Sequence, residues 1–425
     1  MNEKIDLEEA KRCLNCKIPK CMEGCPIHNR IPEFISKIKE ENYEEAYQII
    51  SSVNPLGAIC GRVCPHEKQC QGSCVRGIKD KPISIGKLEA TICDWARENH
   101  VKIKHDIIEN GKKVAIVGSG PAGIACAVDL RKLGYDVTIF EKENFLGGIL
   151  MYGIPEYRLD KKLVTDVIND LLEFGIKVRY NTILKQDDNI QNESNLNKED
   201  NNCILEIQME KEKNIITIQS LFEDNYKAIF LGIGSEISNI LYIEGSSKQR
   251  VYGANEFLRN ERNCNVKKVI VIGGGNVALD AARVAKSEGA DVTIVYRRLK
   301  ENMPANIDEI EVAEQEKIEF VFQTNVIKIC GEEKVTQIEC DTGKIIEADI
   351  VVMAIGSTPN TNYIDNNLKL TEQGLIEVNE NYETNIDNVF AGGDLVQKKA
   401  TVCMAIKNGK EAAKAINNKL KNSNV

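Results

Sequence analysis

Hydrophobic positions in this chain fall into two textures that meet near residue 108. Before that point apolar residues recur between loops rich in Cys, Pro and Gly. In IPEFISKIKEENYEEAYQII (31–50), Ile31, Phe34, Ile35, Ile38, Ala46, Ile49 and Ile50 fall at roughly helical spacing and predict helix. After a short polar linker, HDIIENG, the pattern becomes apolar strand, glycine turn and amphipathic helix. An internal repeat organises this second part. KKVAIVGSGPAGIACAVDLRKLGYDVTIFEK starts at Lys112 and KKVIVIGGGNVALDAARVAKSEGADVTIVYRR at Lys267, and the two align without a gap at a constant offset of 155 residues. Gly118 falls on Gly273, Gly120 on Gly275, and Gly123 on Ala278. Each copy predicts a βαβ unit, and two of them predict two nucleotide-binding halves. Residues 185–202 (LKQDDNIQNESNLNKEDN) are nearly all polar and are expected to form a mobile loop.

Composition narrows the class. At roughly 150 residues per domain, 425 residues predict two or three domains. The net charge is −9, only 5% of residues are aromatic, and there is no Lys/Arg run, so a nucleic-acid footprint is lacking. No apolar stretch approaches the ~18–20 residues that cross a bilayer, and the MNEKIDLEEA start has no secretory apolar core. A soluble, cytoplasmic protein is expected. Lys plus Arg and Asp plus Glu each total 17 up to residue 110, so the negative balance lies in the rest.

Fifteen cysteines then need a reason, because thiols stay reduced in the cytosol and clustered ones there point to a metal or redox centre. Eight lie between Cys13 and Cys74: Cys13, Cys16, Cys21 and Cys25 before Pro26, then Cys60, Cys64 before Pro65, Cys70 and Cys74. Structural zinc is one reading of such spacings. Four thiolates packed into thirteen residues, and a Cys-Pro closing the run as in bacterial ferredoxins, favour two four-iron clusters. All four histidines lie in the first 105 residues, so later chemistry works without imidazole.

The two glycine turns differ in the residues just past their second strand. Gly118, Gly120 and Gly123 lead to Glu141, placed for a ribose hydroxyl. Gly273 and Gly275 lead to Arg297 and Arg298, which would accept a 2′-phosphate. The first site is expected to hold FAD and the second NADPH, with Asn276 and Asp280 as further contacts.

At this point the residues resemble a known family. RCLNCKIPKCMEGCP, NPLGAICGRVCP and PISIGKLE are similar to blocks of the N-terminal iron–sulfur domain of the bacterial glutamate synthase small (β) subunit, shared by dihydropyrimidine dehydrogenase. The resemblance implies that Cys13, Cys16, Cys21 and Cys74 hold one cluster. Cys25, Cys64, Cys70 and a non-cysteine ligand, Glu89, would hold the other, with Cys60 as the alternative to Glu89. TNIDNVFAGGDLVQKKATVCMAIKNGKEAAKAI (384–416) resembles the closing motif of two-dinucleotide flavoproteins. It implies that Gly393 and Asp394 meet the flavin's ribityl chain and that a helix beginning near Thr401 faces its ring. LGIGS (231–235) and MAIGS (353–357) resemble the two crossover strands, and YGIPEYRL (152–159) the loop beside the flavin, which adds Arg158 to the expected contacts; Gly148, ahead of that loop, is expected as another. Relatives place proline where this chain has Asp160.

The implied fold is α/β. An α-helical double iron–sulfur domain (1–108) precedes two Rossmann-like domains, with the NADP domain (237–356) inserted in the FAD domain (109–236 and 357–425). Cys126, Cys203, Cys264, Cys330, Cys340 and Cys403 stand singly in sequence, so no redox pair beside the flavin is expected. The expected activity is NADPH oxidation through FAD, with electrons passing through two four-iron clusters to a larger catalytic subunit or acceptor protein. ENMPA (301–305) and the arginine pair favour the glutamate synthase type. The same architecture serves the NAD(P)H-oxidising subunits of bacterial dihydropyrimidine dehydrogenase and bifurcating ferredoxin:NADP transhydrogenases, and also sulfide dehydrogenases. A non-catalytic electron-wiring or zinc-stabilised assembly module is the alternative from another class.

Overall fold

The computed structural model describes residues 5–186, 213–260, 267–361, 364–398 and 401–422. The expected loop at 185–202 lies outside the described residues from 187 onward, as do Cys203 and Cys264. Among the described residues no helix is long and apolar enough to cross a membrane.

The helical texture before residue 108 gives short helices whose apolar faces meet. Phe34, Ile35, Ile38, Ile50, Leu56 and Ile59 are fully buried. The run expected as helix over 31–50 divides in two, Ile31–Lys39 and Tyr43–Val53. Glu41 turns into the left-handed region (φ +55°), and the Asn42 side chain accepts from Glu45 N at 3.2 Å to cap the second helix. Apolar spacing alone does not register such a break, because Asn42 carries it.

The repeat is reproduced element by element. Strand Lys113–Val117, helix Pro121–Lys132 and strand Asp136–Phe140 are matched, 155 residues on, by Lys268–Ile272, Asn276–Ser287 and Asp291–Val295. Each copy nucleates its own five-stranded parallel sheet. In the first, Lys113–Val117 is flanked by Asp136–Phe140 and Tyr226–Leu231, and Val389–Ala391 extends the edge beyond Tyr226–Leu231. In the second, Lys268–Ile272 lies between Asp291–Val295 and Ile350–Met353. These strands are buried on both faces, as parallel sheets covered by helices require.

The chain folds into two compact units. One comprises Met1–Leu150, Arg158–Gly234 and Asn360–Val425; the other comprises Met151–Tyr157 and Ser235–Pro359. The helical N-terminal region and the first sheet thus share one unit, and the second sheet is an insertion. Within the inserted unit, Ile237–Ser238 and Ser357–Thr358 pair antiparallel, so the segments that enter and leave it run side by side.

Candidate functional site

The three glycines of the first turn do three different jobs. Gly118 ends its strand at φ +94°, where a Cβ would meet Gly232 O at 2.6 Å. Gly123 brings helix onto turn, since a Cβ there would lie 2.0 Å from Gly118 O. At Gly120 a Cβ would find only Gly232 O at 3.9 Å, so this glycine leaves open space at the N-terminus of a twelve-residue helix. That is the cradle a pyrophosphate occupies. Gly148 (φ +53°) borders it, with its Cβ direction 3.2 Å from Gly120 Cα. Glu141 is buried at the end of the neighbouring strand and braces the turn: its carboxylate accepts from Ser119 N at 2.9 Å and from the Ser119 hydroxyl, and from Glu143 N at 2.9 Å.

The closing motif completes the same unit. Gly393 (φ +72°) donates its N–H to Asn408 Oδ1 at 3.0 Å. Asp394 Oδ1 and Gln397 Nε2 are buried without a hydrogen-bond partner, and burial pushes the Asp394 carboxyl up to about 6. An orphaned acceptor and an orphaned donor within one turn fit a polyhydroxyl chain such as a flavin's ribityl group. Thr401 Oγ1 accepts from Met404 N at 3.3 Å and so caps the helix Val402–Asn422, at the place the sequence indicates. Arg158 is half-buried just before helix Lys161–Leu172. Asp160 caps that helix through Leu163 N at 2.9 Å, so an acid here starts a helix as a proline at its first position also can.

The second turn, in the inserted unit, repeats the cradle with different walls. Gly273 (φ +147°) lies against Ala354 O, 2.2 Å from where a Cβ would sit, while a Cβ on Gly275 would meet only Pro304 Cγ at 3.9 Å. The Tyr296 ring covers Gly274 and its hydroxyl donates to Asn302 O at 2.7 Å. Residues of the ENMPA segment latch to this turn: Ala305 N donates to Gly274 O at 3.2 Å, and the next residue, Asn306, donates its N–H to Asn276 Oδ1 at 2.9 Å. Asp280 is buried on the helix and accepts from the Tyr157 hydroxyl at 3.4 Å. Arg297 and Arg298 are exposed beyond the adjacent strand.

Backbone contacts sort the cysteine runs. Gly24, between Cys21 and Cys25, lies on Ser73, between Cys70 and Cys74; a Cβ on Gly24 would be 2.2 Å from Ser73 Oγ. This apposition carries Cys74 toward the first run and Cys25 toward the second. Cys21 has Cys74, Cys13 and Cys16 as neighbours, and burial followed by these thiols pushes it up to about 12. Cys25, Cys60, Cys64, Cys70 and Glu89 instead line one cavity. Helix Gly57–Val63 carries Cys60, and Cys64 ends it in extended geometry because Pro65 comes next. This helix meets helix Ile85–Glu98 backbone to backbone at Gly61, whose Cβ would lie 2.7 Å from Gly86 O and from Ala90 N. That close crossing holds the thiols over Glu89. The Glu89 carboxyl is buried, and its Oε1 accepts from Asn29 Nδ2 and Asn54 Nδ2, each at 2.9 Å. Burial pushes it up to about 8, against the lowering effect of those two amides.

Sequence reasoning missed one thiol here. Cys403, isolated in the chain and read as standing alone, lines the same cavity as Cys25, Cys64, Cys70 and Glu89. Its interaction is the largest influence on three neighbours, raising Cys25 and Cys64 and lowering Cys60 to about 6. No spacing in the sequence signals this, because the other four thiols lie at the opposite end of the chain. Asn29, Asn54, Gln397 and Asn408 were also missed. Among the described residues no group of three or more His, Cys, Asp or Glu is disposed to hold a single metal ion; a four-iron cluster needs its ligands spread around a larger body.

Residues 112–413 match the pyridine nucleotide-disulphide oxidoreductases. The chain belongs to that family. Residues 1–101 match domain II of dihydropyrimidine dehydrogenase, described as carrying a 4Fe-4S cluster. The glutamate synthase [NADPH] small chain of Azospirillum brasilense is 32% identical over 96% of this chain and 88% of its own length. A homologue of the NAD-dependent dihydropyrimidine dehydrogenase subunit PreT from Salmonella typhi is 31% identical over 98% of this chain and 94% of its own. Mycobacterium tuberculosis FprA in complex with NADPH shares the fold, with a TM-score of 0.58 at 18% identity over 74% of this chain and 85% of that one. The protein is thus an FAD- and NAD(P)H-dependent iron–sulfur oxidoreductase of the glutamate synthase small-chain type. Cys126, Cys330 and Cys340 are free thiols, each without a cysteine close in sequence, and Cys126 and Cys340 are buried.

Proposed function

We propose that this chain oxidises NADPH in preference to NADH and delivers the electrons singly, through two four-iron clusters, to a larger partner subunit that carries the terminal substrate site. The observation that carries the nicotinamide preference is the contrast between equivalent positions of the repeat. The first copy ends its second strand in a buried carboxylate engaged with its own turn. The second ends in two arginines whose side chains are exposed, with no ion-pair partner among the described residues. A carboxylate repels a 2′-phosphate, whereas a guanidinium fork binds one.

Bound flavin supplies the conversion between a two-electron hydride and single electrons. The chain's own residues orient and screen. The open faces of Gly120 and Gly275 admit a pyrophosphate, Asp394 and Gln397 offer acceptor and donor to the flavin's hydroxyls, and Arg297 and Arg298 select the dinucleotide. Cys13, Cys16, Cys21 and Cys74 are assigned to one cluster, and Cys25, Cys64 and Cys70 to the other. Domain bounds of 1–108, 109–236 with 357–425, and 237–356 go with this reading. The partner is assigned to the glutamate synthase type; the pyrimidine-reducing subunit is the outcome that NADH preference would indicate.

The test is steady-state reduction of an artificial acceptor by the anaerobically purified chain. Replacing Arg297 and Arg298 together by Glu is expected to raise the KM for NADPH at least about tenfold, the loss of one or more charge-assisted hydrogen bonds of ~1.5–3 kcal/mol each, and to leave that for NADH nearly unchanged. Equal losses for both nucleotides would overturn the assignment.

A further inference from the structure

Tyr382 holds a backbone conformation that bulky residues rarely adopt. It lies in the left-handed region (φ +59°), in a turn where its N–H donates to Asn379 O at 3.0 Å. A side chain of this size is strained there, and the surrounding structure must hold it in place. Two groups of Tyr382 are held. Its carbonyl accepts from Ala391 N at 2.9 Å, at the end of strand Val389–Ala391 and two residues before Gly393. Its hydroxyl lies between Glu411 Oε2 at 2.6 Å and Asn408 Nδ2 at 3.0 Å, both on the closing helix Val402–Asn422.

Asn408 fixes the direction of these bonds. It is 1% exposed, and its Oδ1 accepts from Gly393 N at 3.0 Å. A backbone N–H can only donate, so the amide oxygen faces Gly393 and the amide nitrogen faces Tyr382. The Tyr382 oxygen therefore accepts from Asn408, and its proton goes to the Glu411 carboxylate. Three hydrogen bonds thus run head to tail from the Gly393 N–H to Glu411, each polarising the next. Packing fixes the seat of Asn408. A Cβ on Gly392 would be 3.1 Å from Asn408 Cβ, and one on Gly409, the next residue, would be 2.1 Å from Ala122 O, in the helix that carries the first glycine cradle. All these residues belong to one compact unit.

We propose that Tyr382 is a positioning residue for the flavin site, holding the Gly393–Leu395 turn through Asn408. The inference rests on the assignment of Asp394 to the flavin's hydroxyls. Asp394 Oδ1 has no partner, so the backbone of its turn aims that oxygen, and the Gly393 N–H anchors the turn. Without the Tyr382 hydroxyl, the Asn408 amide nitrogen is buried with no acceptor. The amide is then free to rotate away from Gly393, and the turn loosens. The strain at Tyr382 is accounted for in the same way: the left-handed backbone is what brings one residue's carbonyl to Ala391 and its hydroxyl to Asn408.

The experiment uses the full chain, purified without oxygen, with two readouts. One is the rate of FAD release, followed by the rise in flavin fluorescence. The other is hydrogen exchange, in excess FAD, of the peptide containing Gly393–Leu395. Tyr382→Phe keeps the ring and deletes the hydroxyl. It is expected to speed release about tenfold, the scale of one buried hydrogen bond, and to speed exchange of that peptide, with the melting temperature nearly unchanged. Combined with Asp394→Asn, it is expected to add less than about threefold to the release rate of Asp394→Asn alone, because Tyr382 acts through the turn that aims Asp394. Three results each overturn the proposal: wild-type exchange in Tyr382→Phe, wild-type release in it while Asp394→Asn speeds release, or fully multiplied effects in the double variant. Should Tyr382→Phe melt well below wild type, Tyr382→Gly decides, since glycine suits the left-handed backbone and also lacks the hydroxyl. Faster local exchange and release in it support the proposal, and wild-type rates overturn it. Wild-type release from Asp394→Asn, with faster exchange in Tyr382→Phe, would instead fail the Asp394 assignment and leave the hold on the turn supported, a separable result.

Discussion

Asp394, which we propose meets the flavin, shows how one buried carboxyl can couple a binding site to stability. Its Oδ1 has no partner and burial holds the group near 6, above the ~3.9 of an unfolded aspartate. Linkage sets the sign. A carboxyl raised in the folded state is fully compatible with folding while protonated, and stability is lost as pH rises through about 6. The difference of roughly two pH units corresponds to about 3 kcal/mol at most, since 1.36 kcal/mol attends each unit. The flavin-free chain is therefore expected to weaken between about pH 4 and pH 7 in urea melts. Asp394→Asn should remove that slope while lowering flavin occupancy, because a ribityl hydroxyl loses its charged acceptor. A melt midpoint equally pH-dependent in the variant would contradict this account. The same residue was legible from sequence, since a Gly-Gly-Asp turn between a strand and a helix carries its own geometry: Gly393 at φ +72° is a conformation that favours glycine. Cys403 was not legible, since its neighbours are brought by tertiary folding and no local pattern records them.

Among elements, the crossing of helices Gly57–Val63 and Ile85–Glu98 decides the geometry of the second cysteine group. Gly61 permits backbone contact with Gly86 and Ala90, and the Arg62–Asp94 ion pair at 2.5 Å ties the same two helices on their outer side. A methyl group at Gly61 must displace backbone, which cannot yield as a flexible side chain would, so overpacking of ~1–3 kcal/mol is expected. Gly61→Ala should therefore separate Cys60 and Cys64 from Glu89 and lose iron from the second cluster, while Cys13, Cys16, Cys21 and Cys74, which stand on other segments, keep theirs. Iron analysis with the intensity of each reduced-cluster signal checks it; equal loss of both would show the helices to be a general support. Element types were readable where the period was strong, as in the two βαβ copies. They were less so at residues 31–50, where the break between Lys39 and Tyr43 depends on one left-handed residue and an Asn cap. The cap is an Asn among many polar residues, and only its hydrogen bond to Glu45 N distinguishes it.

At the scale of the whole molecule, the resemblance of residues 384–416, which follow the second copy of the repeat, to a family's closing motif implied that one nucleotide fold interrupts another. Strand Val389–Ala391 pairing with Tyr226–Leu231 is that closure. An insertion that enters and leaves through paired strands, Ile237–Ser238 and Ser357–Thr358, has neighbouring ends and can be cut without stretching its chain. It also has its own core, in which Val271, Leu279, Ile294 and Val352 are buried around a five-stranded sheet. A fragment spanning residues 235–359 is therefore expected to fold, colourless, and to bind NADPH. It lacks Met151–Tyr157, and with it the Tyr157 ring that stacks on Arg283 at 4.3 Å and donates to Asp280. Arg283 keeps Glu309 and Glu316 as partners, but the fragment also loses the Tyr152 ring that Arg259 stacks on at 3.8 Å, so at least two cation–π contacts and one hydrogen bond go, about 2–4 kcal/mol together. A cooperative thermal transition raised by NADPH checks the expectation. An unfolded fragment would mean that the second sheet depends on the rest of the chain, including Met151–Tyr157, and that the repeat, although visible in sequence, does not mark an independent folding unit.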